Sequence, residues 1–156
     1  LYSSAASDVY KRQSIPFVMA GVTNTGVVGY IANPVAKFPA NSITLDIFGN
    51  AFYRSYAYGA GDDTGVYWNS KKQLSKETML FLTAAMEKAV SGRFSYGKKL
   101  RSSQSLKIKM MLPEHNGQPD YAYMQTLISA IQKRVIKSVV QYTDEKIAAH
   151  HAVINR

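Results

Sequence analysis

Nine consecutive residues, Arg93-Phe94-Ser95-Tyr96-Gly97-Lys98-Lys99-Leu100-Arg101, hold four cations, two aromatics and a glycine. Lysine and arginine neutralise phosphates, and the counterions they release make such binding favourable and salt-sensitive. Tyr96 and Phe94 can stack or wedge, and Gly97 lets a backbone approach closely. The run lies in a longer basic stretch. Residues 71–109 carry ten Lys/Arg against two Glu, residues 1–70 carry four against four, and residues 110–156 carry five against four. Of the net charge of +9, +8 is therefore concentrated in a quarter of the chain. Charge placed that way suits a polyanion, with nucleic acid as the first candidate. The candidate contacts are Lys71, Lys72, Ser95, Tyr96, Lys98, Lys99 and Arg101. The competing reading is a solvated loop whose aromatics belong to the core, and Phe94 is assigned there.

A second cluster is Tyr53, Arg54, Tyr56 and Tyr58. Tyrosine hydroxyls and arginine can contact bases or phosphates, so Arg54 and Tyr56 join the candidates. A sheet face packed under helices accounts for the same residues equally well.

Other chemistries find less support. Asp62-Asp63 is a carboxylate pair, but neighbours on an extended backbone point apart and no histidine lies close in sequence. It reads as a surface turn. His150-His151 lacks the companions of a metal site, and His115 beside Asn116-Gly117 reads as a loop residue. The chain has no phosphate-cradling glycine loop, nucleophile elbow or metalloprotease pair. Having no cysteine, it has no disulfide framework or thiolate zinc site. No apolar run reaches the roughly 18 residues of a membrane span, and no secretory signal pattern opens the sequence.

The elements that must position these residues change character near residue 70. Ser14–Gly21, Val27–Ile31, Ser42–Phe48, Ala51–Tyr58 and Gly65–Trp68 read as short strands. The turns between them carry Thr23-Asn24-Thr25-Gly26, Gly49-Asn50 and Gly59–Thr64. Ile43, Leu45 and Ile47 alternate with Thr44 and Asp46, the pattern of a half-buried strand. Ser75 is a candidate N-cap for a helix that stops at Gly92. Leu106–Leu112 reads as a strand, Glu114–Pro119 as a polar loop, and Asp120 as the cap of a second helix. Its apolar stripe, including Ile128, Ile131, Val135 and Val139, fits packing on a partner helix. Thr143-Asp144 offers a restart. The fold class is α+β (mixed α/β): a small, mostly antiparallel sheet with packed helices and a long C-terminal helix. Residues 1–13 (LYSSAASDVYKRQ) are polar and aperiodic. They read as translated adapter sequence or a disordered tail, and on the first reading the chain begins mid-domain without its native first strands.

The runs IPFVMAGVTNTGVVGYI, NSITLDIFGNAFYRSYAYGAGDDTGVYW, ETMLFLTAAMEKAVSGRFSYGKKLRSSQSLKIKMMLP and DYAYMQTLISAIQKRVIKSVV resemble, in that order, the DNA-specificity domain of restriction–modification systems. More narrowly, they resemble the specificity subunits or regions of type I and BcgI-like type IIG enzymes. The resemblance covers about residues 14–150. It implies a target recognition domain over 14–120 and the start of a spacer helix over 121–156. It also implies a non-catalytic module that reads one half of a bipartite site in double-stranded DNA. A methyltransferase subunit or domain, holding S-adenosylmethionine, and an endonuclease subunit or domain are the implied partners. No cofactor is implied in this chain, no membrane is involved, and the implied setting is the cytoplasm of a bacterium or archaeon. Thr23-Asn24-Thr25-Gly26-Val27 matches the family's early turn and strand, which adds Thr23 and Asn24 to the DNA-contact candidates. Phe94–Arg101 matches a recurring loop, which makes it an anchor on phosphates more than a reader of bases. An interaction module working through the terminal helix, with incidental basic charge, is the alternative.

Overall fold

Ser42–Asp46 forms a strand, as its alternation predicts, but not a half-buried one. All five residues are buried, because both faces of the strand are covered: Leu45 packs with Val90 in the core, while Thr44 meets the Arg54 side chain and Asp46 the Gly21 N–H. The computed structural model describes residues 15–32 and 36–154, so expectations about residues 1–13 lie outside the described residues. The chain divides between Leu112 and Pro113 into two compact units.

In the first unit, β1 (Ile15–Val18), β2 (Val27–Ile31) and β5 (Gly59–Ala60) form one three-stranded sheet in the order β2-β1-β5. β1 runs antiparallel to β2 and parallel to β5. The second sheet has the order β4-β3-β6, with β3 (Ser42–Asp46) antiparallel to β4 (Ala51–Arg54) and to β6 (Thr64–Tyr67). The predicted strand Ala51–Tyr58 therefore ends at Arg54. Phe52, Arg54, Tyr56 and Tyr58 do not share one strand face.

α1 (Lys76–Val90) begins where its cap was expected: the Ser75 hydroxyl accepts from the Thr78 N–H at 3.2 Å, and Glu77 sits in the first turn. Beyond Ser91, Gly92 takes φ 70°, the left-handed conformation that commonly closes helices. Leu45, Ala51, Val90 and Leu100 form a buried cluster that Tyr67, Met86, Phe94 and Ile108 pack against. The predicted strand Leu106–Leu112 is not one. A short helix, α2 (Ser102–Ser105), precedes it, and the segment itself is turn and irregular chain. Leu106 and Met111 are 82% and 94% exposed. Their apolar character suggests a strand, but among the described residues no ladder partner is present.

In the second unit, the expected polar loop is a hairpin of β7 (Glu114–His115) and β8 (Gln118–Pro119). Asn116 and Gly117 turn it with φ 52° and 75°, as two-residue hairpins prefer. α3 (Tyr121–Ile154) follows as one continuous 34-residue helix. The Asp120 carboxylate accepts from the Tyr123 N–H at 2.9 Å, the predicted cap. Thr143 does not restart the helix; its hydroxyl donates to the Val139 carbonyl at 2.9 Å within it.

Candidate nucleic-acid interface

The basic run folds into a small projection held by two apolar feet. Phe94 packs on the core cluster and Leu100 is buried within it. The Leu100 N–H also donates to the Ile47 carbonyl at 2.7 Å. Between these feet the chain makes a tight turn. The Ser95 N–H donates to the Lys98 carbonyl at 3.1 Å, and the Lys98 N–H donates back to Ser95 at 3.0 Å. Tyr96 and Gly97 form its tip, with Tyr96 83% exposed. The Lys99 ammonium lies 4.9 Å from the Tyr96 ring centre, a cation–π distance. Ser95, Lys98 and Arg101 are exposed. The Arg101 N–H donates to the Gln104 side chain at 3.0 Å, fixing the start of α2. Arg93 turns back instead: its guanidinium donates to the Ala89 carbonyl at 2.9 Å and lies over the Phe94 ring. The turn at 95–98 was not anticipated, although serine at its first position and glycine at its third are turn chemistry.

Lys71 and Lys72 occupy a separate exposed turn, where both backbone N–H groups donate to the Asn69 side chain at 3.0 Å. Lys72 makes a further interaction.

Arg54 stands apart from the other cations. It is 2% exposed, so it cannot meet a surface phosphate as the sequence reading had proposed. Its guanidinium donates to the Thr44 hydroxyl at 3.1 Å, the Thr25 hydroxyl at 3.2 Å, the Tyr56 hydroxyl at 3.3 Å and the Thr25 carbonyl at 2.6 Å. Its charge also lies over the Phe52 and Tyr58 rings, 5.3 and 5.8 Å from their centres. Burying a cation is costly unless its donors are filled, and here neutral oxygens and ring faces fill them. Among the described residues, no buried side-chain nitrogen or oxygen lacks a hydrogen-bond partner.

The structure therefore brings Arg54, Tyr56 and the Thr23–Gly26 turn together. Asn24 and Thr25 both adopt left-handed backbone, with φ 47° and 53°. For β-branched Thr25 that conformation is uncommon and costly. Gly26, at φ +83°, has no room for a side chain: a Cβ there would lie 2.7 Å from the Met19 carbonyl. Two carboxylates hold the other side of the loop. Asp46 accepts from the Gly21 N–H at 2.9 Å and Asp63 from the Ala20 N–H at 3.2 Å. Asp46 also accepts from the Phe48 and Asn50 N–H groups and the Asn50 amide. The Asp62-Asp63 pair thus splits as expected of a turn, with Asp62 exposed and Asp63 in a structural role. Tyr58 is fully buried; its hydroxyl shares a 2.9 Å hydrogen bond with Ser42. Burial raises its pKa, and the Ser42 hydrogen bond and the Arg54 charge oppose that only in part.

On α3, Ile131, Val135 and Val139 are 49%, 56% and 59% exposed, and Ile128 is half-buried. Among the described residues there is no group of His, Asp and Glu able to hold a metal ion. No helix among them is long and apolar enough to cross a membrane.

The family described as the type I restriction modification DNA specificity domain matches residues 2–148. The chain belongs to that family. DNA specificity is the family's task, and it is a non-catalytic one. The chain is also similar to the type II restriction enzyme BgcI specificity subunit S.BcgI of Heyndrickxia coagulans, with 24% identity over 131 residues. The match takes in 81% of this chain but 38% of that relative, so the chain spans well under half of the relative's length. No solved structure matches it.

Proposed function

We propose that this specificity domain binds double-stranded DNA sequence-specifically and directs methylation and cleavage by partner subunits of a restriction–modification enzyme. Residues 14–120 form the recognition domain and residues 121–156 begin a spacer helix. The carrying observation is the projection of Ser95, Tyr96, Lys98, Lys99 and Arg101 from a core-anchored loop, in a chain of a DNA-specificity family. Lys71 and Lys72 supply further phosphate contacts. S-adenosylmethionine belongs to the methyltransferase partner, an endonuclease partner cuts, and the assembly works in the cytoplasm of a bacterium or archaeon.

The test is a salt titration on duplex DNA. Each phosphate neutralised adds about 0.9 to the slope of log affinity against log salt. Replacing Lys98, Lys99 and Arg101 together with alanine should lower that slope by about 2 to 3. An unchanged slope removes the phosphate-anchor role. A second reading rests on the exposed seam of Ile131, Val135 and Val139. In it α3 is a docking surface and the cations are incidental, and the same triple variant would then bind DNA like the parent.

A further inference from the structure

We infer that the β1–β2 hairpin is a second DNA-contacting element, one that discriminates bases and adds little sequence-independent affinity, and that buried Arg54 is its positioning residue. The inference rests on the proposed DNA-binding function. From Ser14 to Ala36 the sequence has no Asp, Glu, Lys or Arg, so this segment releases no counterions. Whatever it contributes to binding is insensitive to salt, unlike the loop at 93–101. What it exposes instead is, at the turn, Val22, 66% accessible, with Thr23 and Asn24, and on β2 the side chains of Val28 and Tyr30. An apolar side chain or a threonine methyl can meet a thymine methyl, and an asparagine amide can pair with adenine. Asn24 spends one amide hydrogen on the Val27 carbonyl at 3.3 Å, which steadies its side chain and leaves the other hydrogen and the oxygen outward. Among the described residues β2 is an edge strand of the sheet β2-β1-β5, so the β2 side and the turn of the hairpin are open to a groove, where β-sheet edges and turns can reach base edges.

The bracing shows which part of the hairpin is displayed. Asp46 and Asp63 fix residues 20 and 21, and Arg54 fixes both the hydroxyl and the carbonyl of Thr25. Only residues 22–24 lie between the clamps. A reading element held in an uncommon backbone conformation loses little freedom on binding, and that pre-organisation favours specificity. Arg54 also bonds the Tyr56 hydroxyl, so it sets this partly exposed ring beside the turn.

The experiment uses the full-length protein and a pool of randomised DNA duplexes, from which bound sequences are selected and read. Salt slope on an unselected duplex and thermal unfolding are measured in parallel. The double variant Thr23→Ala/Asn24→Gly removes both exposed side chains, and glycine tolerates the left-handed φ of 47° at position 24, so the turn should keep its fold. It should lose roughly ten-fold or more discrimination at one or two base pairs, with the salt slope unchanged. Arg54→Met should blur the same base pairs, with Arg54→Lys intermediate. Adding Arg54→Met to the double variant should cause no further loss at the base pairs that Thr23 and Asn24 read. The inference is overturned if the folded double variant keeps the parent's base preference. It is also overturned if Arg54→Met lowers the salt slope by about one, which would make Arg54 a phosphate contact. If Arg54→Met fails to fold, Arg54→Lys decides its role: a folded lysine variant with the parent's base preference overturns it. A parent protein that binds DNA with no base preference defeats the underlying function as well.

Discussion

The loop at 93–101 and the turn at 22–26 use cations in opposite ways. In the loop the apolar residues Phe94 and Leu100 go inward, and Lys98 and Arg101 stay in solvent. Behind the turn the cation, Arg54 of β4, is buried, and the turn's uncharged residues Val22, Thr23 and Asn24 stay out. An outward cation contributes long-range, salt-dependent attraction that is indifferent to sequence. An inward cation contributes shape, because arginine can hold several acceptors in one plane. Net charge therefore locates only the first kind of site.

Removing the loop's inner foot should have the largest effect. Leu100→Ala deletes a side chain that is 5% exposed in the main core cluster. It should cost about 2–5 kcal/mol of folding stability, read as a lower urea midpoint at unchanged slope. In the fraction that remains folded, duplex affinity should fall while base preference survives. Equal damage to both would dissolve the distinction between the two regions.

The matching change on the turn's side is Asp46→Asn. It keeps the shape but replaces one acceptor oxygen with an amide donor, facing the N–H groups of Gly21, Phe48 and Asn50. A cost of about 1–3 kcal/mol is expected. Its signature should be the reverse of Leu100→Ala, with base preference weakened and salt dependence intact. If Asp46→Asn leaves the selected sequences as they were, the carboxylate clamp matters to the fold and not to reading.

Sequence and structure agree best where the signal is local. Ser75 and Asp120 cap helices because each needs only an N–H a few residues away, and Gly92 ends α1 for an equally local reason. Disagreement begins where the partner is distant. Alternation in Ser42–Asp46 suggested one wet face, but β4 and β6 flank the strand and Thr44 and Asp46 are buried with their polar groups bonded. Leu106–Leu112 has strand composition and, among the described residues, no strand to pair with. Arg54 is the sharpest case. An arginine on a tyrosine-rich strand gives no local sign of its direction, and its main partner, Thr25, is 29 residues away. The loop at 93–101 was legible because charge density needs no partner to be seen. The turn was marked only as turn chemistry, since its function depends on what holds it.

The smallest effect concerns the ring beneath Arg54 and tests whether the brace is as dry as its burial implies. Tyr58→Phe removes one hydroxyl, and Ser42 keeps its hydrogen bond to the Pro39 carbonyl at 2.8 Å. At neutral pH the loss should be about 1 kcal/mol. Burial raises the Tyr58 pKa above its ordinary value, which for tyrosine is about 10. Above that pH the unfolded chain gives up this proton while the folded one holds it. The folded state then binds more protons, so stability falls as pH rises. Phenylalanine has no such proton, so the variant should lose less stability than the parent as pH passes 10, and the gap between them should narrow. Urea midpoints from pH 7 to 11 measure this. Parallel curves would mean that water reaches the Tyr58 hydroxyl. Arg54 would then brace the turn from a wet pocket, where a charged side chain holds its neighbours less firmly, and its claim to position the turn would weaken accordingly.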